Sequence, residues 1–219
     1  MQRRYHYEQA FENYLRTRRI PYVAVDEARK ALMPDRGGSW EAFVSQGGVG
    51  SLKSFDFVIY GASTNLLVEC KGRKLTRRKH GAPGATRLEN WVTRDDIESL
   101  IRWESLFGSG FEAVFVFVYW CDELPPDALF EEIVTHEGRW YSLRAVRVRD
   151  YAKAAKVRSP KWGTMNVPTK TFDEISGPLA PPLPYGVGET RRVGFSFVEA
   201  GRAALPPLPA MERLLAGVR

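Results

Sequence analysis

A chain of 219 residues, 44% of them hydrophobic, suits one domain with a tail or at most two small ones, and can bury a sizeable core. Its formal net charge of +6 and isoelectric point near 9.4 point to an anionic partner, whether nucleic acid, an anionic membrane surface or a phosphorylated ligand, without choosing among them. Cys70 and Cys121 exclude a disulfide framework and paired-cysteine zinc spacing, and fit a reducing cytoplasmic setting. The longest apolar run, Ala113 to Cys121, is about half a membrane span, and MQRRYHYEQAFENY lacks the apolar stretch of a secretory signal.

In chain order, residues 5–19 have the periodicity of an amphipathic helix. Tyr7, Phe11, Tyr14 and Arg18 lie on one face with Leu15 beside them, and Pro21 ends the element. IPYVAV (20–25) reads as a short strand and DEARKAL as a further helical turn, followed by a Gly-rich polar stretch at 34–50. Two apolar strands then flank a turn in KSFDFVIYGASTNLLVECKGRK (53–74), and a basic, Gly-containing loop is expected over roughly 72–90. A helix follows, capped by Thr93 with Asp96 three positions on and buried through Ile97, Leu100, Ile101 and Phe107. Gly108-Ser109-Gly110 stops it. FEAVFVFVYW (111–120) is apolar at nearly every position, as a strand covered on both faces is. RWYSLRAVRVRDY (139–151) reads as another strand region, with Arg147 and Arg149 alternating with valines.

From Lys161 the character changes: nine of the 14 prolines lie between Pro160 and Pro209. The expected division is an α/β core over 1–160 and a Pro-rich extension over 161–219, packed on the core or partly disordered, with a last helical turn at AMERLLAGV. Trp162 could stack on a base, but anchoring the tail to the core is its expected role.

The hairpin carries the chemistry. If Tyr60 and Asn65 close a four-residue loop, Val58 faces Leu67 and Asp56 faces Glu69. Lys71 lies two residues beyond Glu69 and shares its sheet face. Phe55, Phe57 and Ile59 are expected on the other face with Leu66, Val68 and Cys70. Opposed carboxylates on adjacent strands repel, and a divalent cation would compensate them. Carboxylate oxygens are the hard donors that magnesium and manganese take. Other chemistries fit poorly: His6, His80 and His136 are scattered, neither cysteine has an obvious histidine partner, and GGVGS (47–51) lacks the lysine of a P-loop.

An Asp on one strand and Glu-x-Lys on the next, here Ser54-Phe55-Asp56 and Glu69-Cys70-Lys71, resembles the PD-(D/E)XK nuclease superfamily. Phe55 stands where that motif often has proline, a departure that removes no ligand. The resemblance covers roughly residues 5–120. Within the superfamily the chain resembles the Holliday-junction resolvase and Mrr-like group, through Glu8 on the first helix.

The resemblance implies a restriction-endonuclease-like core, a mixed β-sheet flanked by helices in the order α-β-β-β-α-β. It implies a magnesium- or manganese-dependent endonuclease hydrolysing DNA phosphodiester bonds, on branched or on repair- or restriction-type substrates. Asp56, Glu69, the Cys70 backbone carbonyl and Glu8 would serve the metal, and Lys71 the water or the transition state. DNA is the implied partner, a homodimer is admitted, and no membrane is involved. Arg73, Lys74, Arg77, Arg78 and Lys79 could line a phosphate track, with a more dispersed second basic cluster from Arg144 to Lys161. Two other readings stay open: a non-catalytic nucleic-acid-binding protein of the same fold, and a structural or interaction module working through its Pro-rich tail.

Overall fold

The computed structural model describes residues 5–25, 52–61, 63–75, 88–121 and 132–179. The turns expected at DEARKAL and AMERLLAGV and the Gly-rich stretch lie outside these residues. Helix α1 (Tyr5–Thr17) leads into β1 (Tyr22–Ala24), β2 (Phe57–Ile59) and β3 (Asn65–Leu75). The chain continues through β4 (Val92–Thr93), α2 (Arg94–Phe107) and β5 (Phe111–Cys121). Strands β6 (Ile133–His136) and β7 (Arg139–Arg147) follow, then α3 (Val148–Ala154), β8 (Lys156–Ser159), β9 (Thr164–Asn166) and α4 (Thr169–Ile175).

This is a mixed α/β fold. Its six-stranded sheet has the order β1-β2-β3-β5-β7-β6, with β3 parallel to β5 and the other pairings antiparallel. A three-stranded sheet, β4-β9-β8, stands beside it. Helix α2 makes the crossover between the parallel strands β3 and β5, so each face of the large sheet receives its own helix. Strand β5 sits between β3 and β7, and every residue from Ala113 to Tyr119 is buried, which accounts for its continuous apolar run. Among the described residues no helix is long and apolar enough to cross a membrane.

Two cores result. On the α1 face, Ala10, Phe11, Tyr14 and Leu15 pack against Phe57, Ile59, Leu66, Val68, Cys70 and the even-numbered valines of β5. On the α2 face, Ile97 and Leu100 pack with Val58, Leu67, Phe115, Phe117, Tyr151 and Phe172. Phe55 belongs to this second core and not to the first as expected. Its ring stands 5.6 Å from Trp103 and 6.1 Å from Phe107. The chain bends at Asp56, one residue before β2, and strict alternation stops there.

Three other expectations change. The sequence from 72 to 75 is strand, not loop, because β3 runs on beside β5 as far as Leu75↔Cys121. Strand β7 ends at Arg147 and Val148–Ala154 is helix; Arg149 leaves the sheet and pairs with Glu104 at 2.5 Å. On α2, Ile101 is 38% exposed, whereas Ser99 and Glu104 are buried. Glu104 is satisfied there by the Ala113 N–H, which donates to Oε2 at 3.0 Å, as well as by Arg149.

The position 160/161 lies in the turn between β8 and β9. From there to Leu179 the chain builds into both cores: Phe172 is buried on the α2 face and Leu179 on the α1 face. Gly177 bridges to Ala145 of β7, and the Leu179 N–H donates to the buried Glu132 Oε2 at 2.8 Å. Residues 180–219 lie outside the described part of the chain.

Candidate active site

The β2–β3 register is Phe57↔Val68, Val58↔Leu67 and Ile59↔Leu66. Asn65 helps close the turn, its Oδ1 accepting from the Gly61 N–H at 3.3 Å. Beyond Phe57↔Val68 the register is not continued: the Asp56 N–H donates to the Val68 carbonyl at 2.9 Å. There the ladder gives way to a side chain: the Cys70 N–H donates to Asp56 Oδ2 at 2.7 Å. The Asp56 carboxylate is thereby fixed to the strand that carries Glu69 and Lys71.

Lys71 Nζ lies 2.7 Å from Glu69 Oε1 and 3.0 Å from Asp96 Oδ2, and all three side chains are largely withdrawn from water. Burial, and then the Asp56 charge, push the Glu69 carboxyl up to about 7 against the pull of Lys71. Burial works against the Lys71 ammonium, but Glu69 and Asp96 outweigh it and hold its pKa above the ordinary lysine value. Burial also opposes the Asp96 charge, yet Lys71 and the Thr93 hydrogen bonds overcome it and bring the carboxyl down to about 2. Lys71 owes part of its hold to an ionised Glu69. When Glu69 takes up a proton, Asp96 is the acceptor that keeps its charge.

Asp96 reads in the sequence as a capping residue, and it is one. Its N–H donates to Thr93 Oγ1 at 3.2 Å and the Thr93 N–H donates to its Oδ2 at 2.9 Å, completing a capping box. The same carboxylate also takes Lys53 Nζ on Oδ1 at 3.1 Å. Lys53 is fixed in turn by donating to Thr93 Oγ1 at 3.0 Å, and its carbonyl accepts from Trp103 Nε1 at 2.8 Å. Sequence reasoning missed that the cap reaches β3. The spacing Thr93-x-x-Asp96 identifies the cap, but nothing local shows which strand lies under it.

Glu8 approaches from the other face. Tyr7 of α1 lies over Gly72, where an added Cβ would come within 2.2 to 2.7 Å of its ring. The missing side chain lets α1 seat against β3. Burial raises the Cys70 thiol, and the charges of Asp56, Glu69 and Glu8 add to that rise. Cys70 therefore lies within the field of all three acids.

Among the described residues no group of three or more His, Cys, Asp and Glu side chains is placed to hold a metal ion together. The carboxylates of Asp56 and Glu69 lie close enough for the charge of one to act on the other, and both offer hard oxygen donors. A small set of hard oxygens fits magnesium or manganese, which keep several waters, and does not fit zinc. Burial first, and the Asp56 charge second, raise Glu69, and a cation beside the two carboxylates would favour its charged form. Two cavities formed by described residues lie away from these side chains, one lined by Trp91, Arg158 and Thr169, another by Glu104, Gly110 and Arg149.

The proposed phosphate track divides. Arg73 turns inward: its guanidinium stacks on Trp91 with Cζ 4.0 Å from the ring centroid, and donates to the Gly72 and Trp91 carbonyls. Lys74 is exposed, with Nζ 4.5 Å from the Trp120 centroid. Arg77, Arg78 and Lys79 lie outside the described residues. In the second basic cluster Arg144 pairs with Asp173 at 3.7 Å, Arg147 with Glu112 at 2.9 Å and Lys153 with Asp150 at 3.5 Å.

Comparison with solved structures matches Hjc, a Holliday junction resolvase from Archaeoglobus fulgidus, an archaeal hyperthermophile. The identity is 12% and the TM-score 0.40, over 77% of this chain and 85% of that one. No family model matches the chain, and no curated protein matches it. The reading of the site accordingly rests on its own residues.

Proposed function

We propose that this chain is a divalent-metal-dependent endonuclease hydrolysing DNA phosphodiester bonds, with Asp56, Glu69 and Lys71 at its centre and Glu8 as a further acid. The observation that carries the reading is the largely buried 2.7 Å ion pair of Glu69 and Lys71, set beside the Asp56 carboxylate among Phe, Val and Leu side chains. A sheet interior rarely spends two acids and an ammonium on solvation alone.

Asp56, Glu69 and the Cys70 carbonyl would hold a magnesium or manganese ion. When bound, that ion supplies Lewis-acid polarisation of the phosphoryl oxygen and a water acidified for attack. Lys71 orients the attacking water or meets the negative charge that builds on the phosphoryl oxygens in the transition state. Asp96 keeps the ammonium charged and fixed, so little reorganisation is left to the reaction itself. Glu8 adds negative field from the α1 side. Lys74, with Arg77, Arg78 and Lys79, belongs to the proposed backbone track. A homodimer and a cytoplasmic setting accompany the proposal.

A second reading, DNA binding without cleavage, draws on the double engagement of Lys71 by Glu69 and Asp96 and on the lack of a three-residue metal cluster among the described residues. One experiment separates the two: labelled linear and branched DNA is incubated with the protein in magnesium, in manganese and in chelator. The nuclease reading expects metal-dependent products that disappear in Asp56→Asn. Binding without products under every metal condition favours the second reading.

A further inference from the structure

Trp162 does not anchor the chain to the core: it is 72% exposed, at the tip of the β8–β9 hairpin, and Val157 on the same hairpin is 52% exposed. Leaving an indole in water forgoes the burial that usually fixes such a ring, about 25 cal/mol for each Å². The turn that presents it is nevertheless well built. The Gly163 N–H donates to the Pro160 carbonyl at 3.3 Å, and Gly163 adopts φ +57°, which favours glycine. The Arg94 N–H donates to the Gly163 carbonyl at 2.8 Å, and Thr164 pairs with Thr93. The tip is therefore mounted on the first residues of α2, whose Asp96 holds Lys71. An exposed aromatic ring on a fixed turn can bind a ligand with little ordering cost.

The charge around the ring favours an anion. Lys156, Arg158 and Lys161 are exposed on this hairpin, and Lys161 Nζ stands 5.5 Å from the Trp162 centroid. Lys156 and Lys161 have no ion pair among the described residues, and Arg158 reaches Glu89 only at 4.0 Å while lying over Trp91 at 5.3 Å. Elsewhere in this basic cluster Arg144, Arg147, Arg149 and Lys153 pair at 2.5 to 3.7 Å, so the hairpin holds its loosely paired end. An aromatic face beside several cations matches the alternation of base and phosphate in a single strand. Inside a duplex the base faces are covered by their neighbours, so the ring reaches a base only where a strand is unpaired or ends.

We propose that the β8–β9 hairpin is a DNA-binding element in which Trp162 stacks on an unpaired base while Lys156, Arg158 and Lys161 neutralise adjoining phosphates. This rests on the DNA reading of the Asp56, Glu69 and Lys71 site and narrows its substrate to DNA carrying an unpaired segment.

The test uses the full chain in chelator with two DNAs, a blunt duplex and the same duplex bearing a short overhang that contains 2-aminopurine. Wild type should quench the 2-aminopurine and bind the overhang DNA more tightly. Trp162→Ala should lose the quenching and about tenfold in affinity for the overhang, with blunt-duplex affinity and salt slope unchanged. Trp162→Phe should recover much of both. Lys156→Ala with Lys161→Ala should instead flatten the salt slope. Equal affinities of Trp162→Ala and wild type for the overhang would overturn the proposal, as would a parallel loss on both DNAs. If wild type binds and cuts DNA while Trp162→Ala is indistinguishable from it, only the hairpin assignment falls. If wild type binds neither DNA, the nuclease reading falls with it.

Discussion

Asp96 Oδ2 stands 3.0 Å from Lys71 Nζ and joins the first turn of α2 to the middle of β3. The contact makes a helix cap into a support for the residue proposed to act on phosphate. Asp96→Asn keeps the shape of the side chain and removes its charge. Single-turnover cleavage should slow on the order of 10- to 100-fold, as a misplaced reacting group does, while the dissociation constant for DNA stays within about twofold. A rise in the dissociation constant with cleavage at saturation unchanged would place Asp96 in binding instead.

The same carboxylate sets an acid limit on stability. Its pKa falls from 3.8 to about 2 in the folded chain, so the unfolded state takes up its proton first as pH drops. The stabilisation is complete above about pH 4 and is lost as pH falls from there toward 2, on the order of 1–2 kcal/mol. Thermal melts across that range should show a shallower acid limb for Asp96→Asn than for wild type. Identical acid limbs would mean that Lys71 does not hold this group in its charged form.

The register of the hairpin was readable because a short turn and strict alternation leave few ways to pair Val58 and Leu67. The continuous apolar run of β5 likewise marked a strand buried on both faces. Phe55 escaped that reading because the bend at Asp56 interrupts alternation, and no local pattern announces it. Arg149 was misplaced because Val146 and Val148 alternate with arginines on both sides of a strand end that is set by tertiary packing. The partnership of Asp96 with Lys71 was out of reach, since it joins positions 25 residues apart through a crossover.

Gly72 tests how closely α1 must approach β3. A methyl group there meets the Tyr7 ring at 2.2 to 2.7 Å. Gly72→Ala should destabilise the fold by roughly 1–3 kcal/mol, the usual cost of overpacking, and displace the helix that carries Glu8. Urea denaturation measures the first effect. Unchanged stability would mean that Tyr7 swings aside without consequence.

Arg73 and Lys74 are neighbours in sequence, the first turned inward and the second exposed and proposed to meet the DNA backbone. Arg73→Ala removes the guanidinium stacked on Trp91 and should lower the melting temperature, with little change in the salt dependence of DNA binding. Lys74→Ala should leave the melting temperature near wild type and reduce the salt slope by about one. The reverse pattern would return Arg73 to the phosphate track and remove Lys74 from it.

The most direct measurement is single-turnover cleavage of labelled DNA by Lys71→Ala at saturating magnesium or manganese, with binding followed in parallel. Lys71 is held within 3.0 Å of two carboxylates beside Asp56, a placement suited to the chemical step and not to gripping the DNA backbone. Lys71→Ala should therefore bind DNA as wild type does and cut it at least about a hundredfold more slowly. Cleavage by Lys71→Ala at the wild-type rate under these conditions would contradict the assignment of this site.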